Sequence, residues 1–436
     1  MNKTIDTWIG EHAEVSAKLA EDIFNHPELA EEEVNSAGYL RKYMEDLGFS
    51  IEENAGGMPT AFTAAWGSGK PVIGFLAEYD ALPGLGQDPV PYRSERKGPG
   101  HGCGHNLLGA GCAAAAGALK AAMEKENLPG TIIFFGCPAE ETLVGKVRMG
   151  KAGCFDDVDV AIAWHPVGVN KVSEERQQAM DSKIYRFYGK TAHAAASPEM
   201  GRSALDAAEL MNVGVNYLRE HVPDHVRMHY SYDSAGEKPN IVPDFAQLSY
   251  FIRARDRATV DDVSARVDKI AEGAALMTGT RMEMELLTGC DDTLVNETLC
   301  RFMMEAFQDV PAPVYTEEEK AFAAELRKNV EGDAHAGEPP LREWIEPLNG
   351  HPDPAFGSTD VANVSRIVPT VTLNAVATFN GSPGHHWAVT AVSGMSIGFK
   401  GMLYGAQAMA EGAYRLLLHP EVVEAAKKDF AENSGK

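Results

Sequence analysis

The segment GPGHGCGHNLLGAG, residues 98–111, combines two histidines and a cysteine with very little side-chain bulk. His101, Cys103 and His105 alternate along it, so an extended backbone would direct all three side chains the same way. Thiolate and imidazole are common ligands of transition-metal ions. The glycines between them let the backbone turn, or approach another group closely, where other residues would clash. The segment therefore resembles a loop that wraps around a metal ion.

Other chemistries that such a segment could support lack their partners in this sequence. Neither residues 98–111 nor GSGKP at 67–71 contains a phosphate-binding glycine motif. No neighbouring sequence motif provides a base that would activate Cys103 as a nucleophile. The sequence also has no C-x-x-C pair for a structural zinc ion, and neither H-E-x-x-H nor the P-C-x-x-C of nucleobase deaminases. A mixed Cys/His/carboxylate site with dispersed ligands remains, and the residues alone do not decide whether it is catalytic.

The composition narrows the class of protein. The 436 residues are 44% hydrophobic and carry a formal net charge of −24, with no visible basic stripe. We therefore expect no binding to nucleic acid and none to anionic membranes. No apolar run approaches the length of a membrane span. Acidic residues occur from Asp6 onward, so we expect no signal peptide. Six cysteines in so long a chain do not make a disulfide scaffold, so we expect a cytoplasmic protein with reduced thiols.

The elements that must position these ligands alternate between helix and strand over residues 1–182. Amphipathic helices are predicted for 5–24 and 30–47, and apolar strands for VIGFLAEYD, GTIIFFGCPAEE and VDVAIAWHP. Such alternation indicates a largely parallel α/β sheet with both faces covered. In such sheets, ligands bind and catalytic residues lie at the carboxyl ends of the strands. Here the ends EYD, CPAEE and WHP are rich in metal-ligand residue types.

A second pattern occupies residues 183–292. Its strands and helices follow in the order β-α-β-β-α-β, from KIYRFYG to RMEMELL, which is that of a ferredoxin-like unit. From residue 293 the chain returns to helix, strand and helix. We therefore predict one domain made of 1–182 and 293–436, with 183–292 inserted into it.

Nine strings occur in one order over nearly the whole chain: EYDALPG, GHGCGHN, CPAEE, AWHP, GKTAHAAASPEMGRSALDA, PNIVPD, FIRARD, GSTDVANVS and PGHHW. Together they resemble the aminoacylase/carboxypeptidase-type dinuclear metallopeptidases. The similar branch contains indole-3-acetyl-amino-acid hydrolases and bacterial N-acyl-amino-acid amidohydrolases. The resemblance implies a mostly parallel catalytic domain sandwiched by helices, with an inserted ferredoxin-like α+β domain that serves as dimerisation and lid domain.

The resemblance also implies a set of metal ligands at the matching positions. Two divalent metal ions per subunit, Mn²⁺ or Zn²⁺, would be bound by Cys103, His105, Glu141, His165 and His385. Glu140 matches the general base that takes a proton from the attacking water. The final motif reads His385-His386-Trp387, so the last ligand could be displaced by one residue. The Pro-Gly pair that precedes His385, as in the relatives, favours His385.

Further positions match residues that support the site in the family. Asp80 and His101 match residues that orient ligands without binding the metal. Glu78 stands where relatives carry aspartate or histidine, so no role is assigned to it.

The inserted domain matches the family at two more positions, His193 and Asn240, and carries two arginines, Arg253 and Arg255, that alternate on one face of a predicted strand. His193 matches a histidine that enters the partner subunit's site and stabilises the tetrahedral oxyanion, and Asn240 matches a residue near the substrate. Arg253, preferred over Arg255, would bind a free α-carboxylate through two hydrogen bonds.

These matches imply a metal-dependent amidohydrolase that cleaves N-acyl or N-aroyl amino acids with a metal-activated water. The resemblance implies a homodimer formed through the inserted domain. Two alternatives stay open: a dipeptidase or aminopeptidase-like enzyme on the same machinery, and a non-catalytic subunit that works with a second homologous chain. The intact Glu140 and the full ligand set argue against the second alternative.

Overall fold

The computed structural model describes residues 1–330 and 337–434. Its strands are β1 (Ser50–Glu53), β2 (Phe62–Ser68), β3 (Val72–Glu78), β4 (Gly130–Cys137), β5 (Val160–Val167), β6 (Lys171–Val172), β7 (Glu175–Arg176), β8 (Ala179–Tyr188), β9 (Arg227–Ser234), β10 (Phe245–Ala254), β11 (Arg281–Cys290), β12 (Asp353–Pro354) and β13 (Thr370–Val376).

Helices make up much of the remaining chain. They are α1 (Lys3–Glu11), α2 (Ala13–Asn25), α3 (Val34–Asp46), α4 (His105–Glu126), α5 (Gly145–Lys151), α6 (Ala204–Leu218), α7 (Arg257–Thr278), α8 (Glu297–Gln308), α9 (Glu317–Lys328), α10 (Val361–Ser365), α11 (Trp387–Ser393), α12 (Ser396–Leu418) and α13 (Pro420–Asn433). Short 3₁₀ turns occur at Ala55–Gly57, Pro198–Met200 and Arg219–His221.

The chain divides into two compact units. The first comprises Met1–Glu175, Leu294–Asp353 and the chain from Asn363 onward, and the second comprises Arg176–Thr293 and Pro354–Ala362. The sequence placed the boundaries at 182/183 and 292/293 and left 354–362 in the first unit. The start of the second unit differs because β8 already begins at Ala179. Residues 354–362 belong to the second unit because they pack with it; for example, the amide of Gln178 donates to the carbonyl of Gly357.

A seven-stranded sheet with the order β1-β2-β4-β3-β5-β13-β6 forms the centre of the first unit. The four central strands β4, β3, β5 and β13 are parallel to one another, and the outer strands pair antiparallel. All seven residues of β3, VIGFLAE, are buried, as expected for a strand with both sheet faces covered. The predicted α/β class with a mostly parallel sheet is confirmed.

Successive residues of β4 face opposite layers of the first unit. Phe134 packs in the large core that includes α4 and α12. Phe135 lies on the other face, where its ring centroid is 4.8 Å from that of Phe155. On the α4 side, small residues allow close packing. A Cβ added to Gly111 of α4 or to Gly405 of α12 would lie 2.8 or 2.9 Å from the indole of Trp164, so glycine lets both helices approach β5.

Helix α4 is long and apolar enough to span a membrane by length and composition, although the sequence suggested that no run approaches that length. However, 89% of its apolar window is buried inside the protein. This burial is that of a core helix in a folded domain, and α4 supports the sheet rather than facing lipid.

The second unit is a four-stranded antiparallel sheet with the order β11-β8-β10-β9, accompanied by α6 and α7. The element order β8-α6-β9-β10-α7-β11 is the predicted ferredoxin-like arrangement. Along β10 the even positions from Ala246 to Ala254 are buried and belong to a core shared with both helices. The odd positions, including Arg253, therefore lie on the opposite face of the sheet.

The N-terminal helices differ from their predicted bounds. A single helix was expected over residues 5–24, but α1 ends at Glu11 and α2 begins at Ala13. At His12 the backbone turns out of the helical conformation, and its ring stacks on Trp8 with centroids 3.9 Å apart. The His12 Nδ1 lies 2.9 Å from the carbonyl oxygen of Trp8, which fixes this break.

We expect Phe134→Ala to destabilise the first unit strongly. The Phe134 side chain is fully buried, and truncation of such a ring costs about 3–5 kcal/mol through lost burial and a residual cavity. The urea midpoint measured by circular dichroism should fall well below that of the parent. The matched control is Phe356→Ala, whose ring is 76% exposed and should change the midpoint little. Equal midpoints for the two variants would contradict this account of the core.

Candidate metal centre

The carboxyl ends of β3, β4 and β5 place acidic and imidazole side chains at one edge of the first sheet. Glu78 is the last residue of β3, and Asp80 lies two residues further along the chain. Glu140 and Glu141 follow β4, and His165 lies near the end of β5. Parallel strands end at the same edge, and the register pairs Glu78 with Cys137, the last residue of β4. The sequence therefore needs only short loops to bring these groups together.

His105, the first residue of α4, lies at the centre of this group and is fully buried. Its Nδ1 lies 2.9 Å from Asp80 Oδ1. Its Nε2 lies 3.4 Å from Glu78 Oε2 and 3.8 Å from Glu140 Oε2. A carboxylate on one ring nitrogen fixes the orientation of the other toward a metal ion, which is the contact expected of Asp80.

Gly104 permits the turn that brings Cys103 and His105 into the site. Its φ of +81° lies in the left-handed region, and an added Cβ would lie 2.6 Å from Cγ of Pro166. Any other residue at this position would be strained and would clash with the end of β5. The Cys103 Sγ is then 3.3 Å from His165 Nε2.

All five predicted ligands fall into two overlapping groups. The donor atoms of Cys103, His105 and His165 lie within 4.8 Å of one another, and so do those of Cys103, Glu141 and His385. Cys103 belongs to both groups. The structure thus brings together residues that lie up to 282 positions apart in the chain (385 − 103).

A third group with the same spacing consists of Glu78, His105 and Glu140. Beside it lies Lys146, which the sequence analysis missed. Its side chain is fully buried, and its Nζ lies 2.7 Å from Glu78 Oε1. A buried ammonium that pairs with a carboxylate offsets part of the negative charge at the site. The lysine's position in the apolar stretch TLVGKV, directly after the glutamate pair, was the available signal.

A tight turn after β4 separates the two neighbouring glutamates. Ala139 and Leu143 both have a φ of +57°, and the Leu143 amide donates to the carbonyl of Glu140 at 2.7 Å. The Glu141 amide donates to Asp80 Oδ2 at 2.9 Å. As a result, Glu140 faces the His105 Nε2, whereas Glu141 Oε2 lies 3.2 Å from His385 Nε2. Adjacent carboxylates therefore have different neighbours, as a ligand and a base require.

The adjacent histidines of the last motif also have different partners. His385, with a φ of +52°, directs its Nε2 toward Glu141. His386 instead precedes α11, and its Nδ1 accepts a hydrogen bond from the amide of Ala388 at 3.3 Å. A ring nitrogen occupied as a helix cap is not available to a metal, and this geometry favours His385 over His386 as the ligand.

Burial dominates the protonation of the candidate ligands. It raises the pKa of the Cys103 thiol to about 12. Burial also raises the pKa of Glu141 to about 7, against the opposing charge of His105. Burial and the charge of His105 lower the pKa of His165 to about 4, so its imidazole is neutral near pH 7, the form that binds a metal ion.

Asp80 behaves differently from these ligands. Burial alone would raise its pKa, but the hydrogen bond and charge of His105 outweigh burial and lower it. Asp80 thus remains an anion that can hold His105.

Two buried atoms without a hydrogen-bond partner show that the residues present fit a cation. His105 Nε2 and Glu141 Oε1 are buried and have no hydrogen-bond partner. Buried polar atoms without partners are rare, and each needs an explanation. Both atoms are lone-pair donors of predicted ligands, so a metal ion would satisfy them.

His101 has a different environment from the one predicted. Its buried Nε2 lies 3.3 Å from the carbonyl oxygen of Ile23, so this ring nitrogen contacts the backbone of α2 and not a candidate ligand. Its own carbonyl accepts from the Gly104 amide at 3.2 Å. The residue thus supports the ligand loop through its backbone.

The three candidate residues of the inserted segment lie in the second unit. His193 Nδ1 accepts from the amides of Ala195 and Ala196 at 3.2 and 3.1 Å. The carbonyl of Asn240 accepts from the amide of Ala194 at 3.1 Å, which brings Asn240 next to the His193 segment.

Arg253 lies apart from them on β10. Its Nη1 donates to Ser358 Oγ at 3.1 Å, and Ser358 belongs to the GSTD string. The half-buried guanidinium is thereby held on the open face of the second sheet.

Comparisons with known proteins agree with this site. Residues 74–386 match Peptidase family M20/M25/M40. The chain is 38% identical to a p-aminobenzoyl-glutamate hydrolase subunit from Escherichia coli, over 95% of this chain and 91% of that protein. It is 31% identical to Xaa-Arg dipeptidase of Mus musculus, over 97% and 90% of the two chains.

Solved structures have the same fold. A dinuclear metal-binding peptidase of the M20 family from Bacillus subtilis superposes with a TM-score of 0.61 at 21% identity, covering 94% of this chain and 99% of that one. An aminobenzoyl-glutamate utilization protein from Klebsiella pneumoniae does so with a TM-score of 0.65 at 18% identity, covering 94% and 98%.

The fold and the site thus define a metallopeptidase-type hydrolase of amide bonds. The chain belongs to Peptidase family M20/M25/M40. The family resemblance given by the nine sequence strings is confirmed.

We expect Cys103→Ser to lower metal affinity while leaving the fold intact, because an alcohol is a harder and far less acidic ligand than a thiol. Metal content after equilibrium dialysis against limiting Zn²⁺ or Mn²⁺ measures the effect. Cys154→Ser is the matched control, since Cys154 is a free cysteine outside the three donor groups. Equal metal content in Cys103→Ser and the parent would show that Cys103 is not a ligand.

Proposed function

We propose that the protein hydrolyses the amide bond of N-acyl or N-aroyl amino acids of the p-aminobenzoyl-glutamate type. The observation that carries this proposal is the pair of donor groups sharing Cys103, with Glu140 beside them. The similarity to the p-aminobenzoyl-glutamate hydrolase chain of Escherichia coli supports the substrate class. The six free cysteines agree with a cytoplasmic location.

The proposed cofactor is a pair of divalent ions, Mn²⁺ or Zn²⁺. They would be held by Cys103, His105, Glu141, His165 and His385. Bound there, such ions polarise a carbonyl oxygen and lower the pKa of water toward about 7. Asp80 would keep the His105 ring in place through its contact with Nδ1.

Glu140 has the position of a general base in this proposal. It is 9% exposed and lies three residues beyond the end of β4, so its carboxylate is sheltered but can be reached by a small molecule. It would accept a proton from the attacking water and return it to the leaving amine. Because Glu141 turns toward His385, the two functions do not compete for one carboxylate.

His193 is suited to donate a hydrogen bond to the oxyanion. Two backbone amides donate to its Nδ1, so the neutral ring carries its proton on Nε2. That N–H is left to stabilise charge that develops on the substrate carbonyl. In the proposed homodimer, the inserted domain forms the contact between subunits, and each His193 serves the partner's site.

Arg253 would bind the α-carboxylate of the substrate. A guanidinium fits a carboxylate through two parallel hydrogen bonds, and its contact with Ser358 restricts its orientation. Asn240, next to the His193 segment, would lie near the scissile amide.

The similarity to Xaa-Arg dipeptidase keeps dipeptide cleavage as a second candidate. A dipeptidase binds a free α-amino group, so this candidate requires that such a group improves turnover. A role as a non-catalytic subunit is less favoured, because Glu140 and the full ligand set are present.

A panel of N-acyl amino acids, N-aroyl amino acids and dipeptides, assayed with Mn²⁺ and Zn²⁺, tests the proposal. We expect the highest kcat/KM for aroyl or acyl amino acids with a free carboxylate. Glu140→Gln should keep its metal and lose about 10²- to 10⁴-fold in kcat, because an amide cannot accept the proton. Turnover of dipeptides alone, or parental turnover by Glu140→Gln, would contradict the proposal.

Subunit exchange tests the role of His193. Glu140→Gln and His193→Ala homodimers should each be inactive, whereas a mixed dimer has one site with an intact Glu140 and a donated His193. At most about half of the parental activity per mixed dimer should return. The readout is activity after mixing, with exchange verified by two affinity tags. No recovery despite proven exchange between folded, metal-loaded parents would show that His193 does not act across subunits.

A further inference from the structure

We propose that Glu33 is a positioning residue for Glu140, holding the backbone of the turn that carries the general base. This inference rests on the proposed function, since it assigns Glu33 a part in the same reaction. Glu33 lies far from the ligand motifs in the sequence, at the end of the run EEE that precedes α3.

The side chain of Glu33 points inward, although three consecutive acidic residues indicate a solvated surface. It is fully buried. One oxygen, Oε1, accepts from the amide of Ala139 at 2.8 Å and from the amide of Glu31 at 2.9 Å. The carboxyl group therefore ties the N-terminus of α3 to the residue immediately before Glu140.

The backbone at Ala139 needs such a partner. Its φ of +57° is a left-handed conformation that is unfavourable for a non-glycine residue. A buried amide without an acceptor would add a further penalty. Hence an apolar side chain at position 33 would leave both the conformation and the amide without support.

Two buried carboxylates hold the turn from both sides of Glu140. Glu33 accepts from the amide of Ala139, and Asp80 accepts from the amide of Glu141 at 2.9 Å. Asp80 also contacts the ring of His105, so it orients a candidate ligand as well as the turn. Glu33 Oε1 accepts only from two backbone amides, so its contacts orient the backbone alone. With both flanking amides fixed, the direction of the Glu140 side chain is set by the backbone.

The second carboxylate oxygen of Glu33 makes no hydrogen bond that would explain a buried glutamate at this position. Oε2 is buried without a hydrogen-bond partner, and burial together with the charge of Asp80 raises the pKa of Glu33 to about 7. An internal carboxyl group with one unsatisfied oxygen is costly. The acceptor that it supplies to Ala139 is the gain that offsets this cost.

Two substitutions separate the acceptor from the bulk of the side chain. Glu33→Gln keeps Oε1 as an acceptor, whereas Glu33→Leu has a similar volume and no acceptor. We expect Glu33→Leu to lose about 10- to 100-fold in kcat with KM changed less than about threefold, since small displacements of a catalytic group have effects of that order. Glu33→Gln should remain within about threefold of the parent, and both variants should retain parental metal content.

Hydrogen–deuterium exchange gives a measurement that does not depend on activity. A peptide that spans residues 134–145 reports the Ala139 amide, because only the first two residues of a peptide lose their label by back-exchange. Exchange in this peptide should be faster in Glu33→Leu than in the parent, and close to parental in Glu33→Gln. This comparison is made on metal-loaded protein.

Glu319→Leu is the matched control. Glu319 is also a buried glutamate that accepts a backbone amide, that of Thr316, at the start of a helix. Its replacement should lower the thermal midpoint without lowering kcat. Parental kcat and parental exchange in Glu33→Leu, or an equal loss of kcat in Glu33→Gln or Glu319→Leu, would overturn the assignment.

The proposed function fails by a different result. Parental turnover by Glu140→Gln would refute the general base, whatever the Glu33 variants do. If Glu140→Gln is inactive and Glu33→Leu is parental, the function stands and only the role of Glu33 is wrong.

Discussion

The site depends on negative charge that is concentrated where water is largely excluded. Glu78, Asp80, Glu140 and Glu141 surround the buried ring of His105. Such a cluster is unstable unless cations compensate it, because carboxylates lose their hydration on burial. Lys146 compensates Glu78 within the chain. A bound metal ion would compensate Glu141 and the Cys103 thiolate, whose protons are otherwise favoured by burial.

The fold arranges this cluster through the shared edge of its parallel strands. β3, β4 and β5 deliver one or two side chains each, and α4 starts at the same edge with His105. Backbone conformations at Gly104 and Ala139 then turn the ligands inward. The apolar core beneath them, with α4 and α12 packed closely on Trp164, supports the edge, so the precision of the site derives from packing as much as from its own hydrogen bonds.

Much of this arrangement could be predicted because it leaves a local signal. The apolar strands ending in EYD, CPAEE and WHP predicted the sheet edge, and the β-α-β-β-α-β order predicted the second unit. The buried position of Glu33 could not be predicted, because a run of three acidic residues is typical of a solvated surface, and the only signal for Lys146 was its place in an apolar stretch. Their burial depends on side chains brought together from other strands. The helix break at His12 also leaves no periodic signal, since it is accompanied only by local contacts with Trp8.

The central claim is that the cluster around Cys103 and His105 binds two metal ions. A crystal structure of the protein loaded with Zn²⁺ tests it most directly, with anomalous differences recorded on both sides of the zinc absorption edge. The account predicts two zinc peaks per chain that together contact all five candidate ligands, with Cys103 Sγ about 2.3 Å from at least one ion. Zinc peaks that lie away from these side chains, or no peak at the cluster in protein shown to contain zinc, would contradict it.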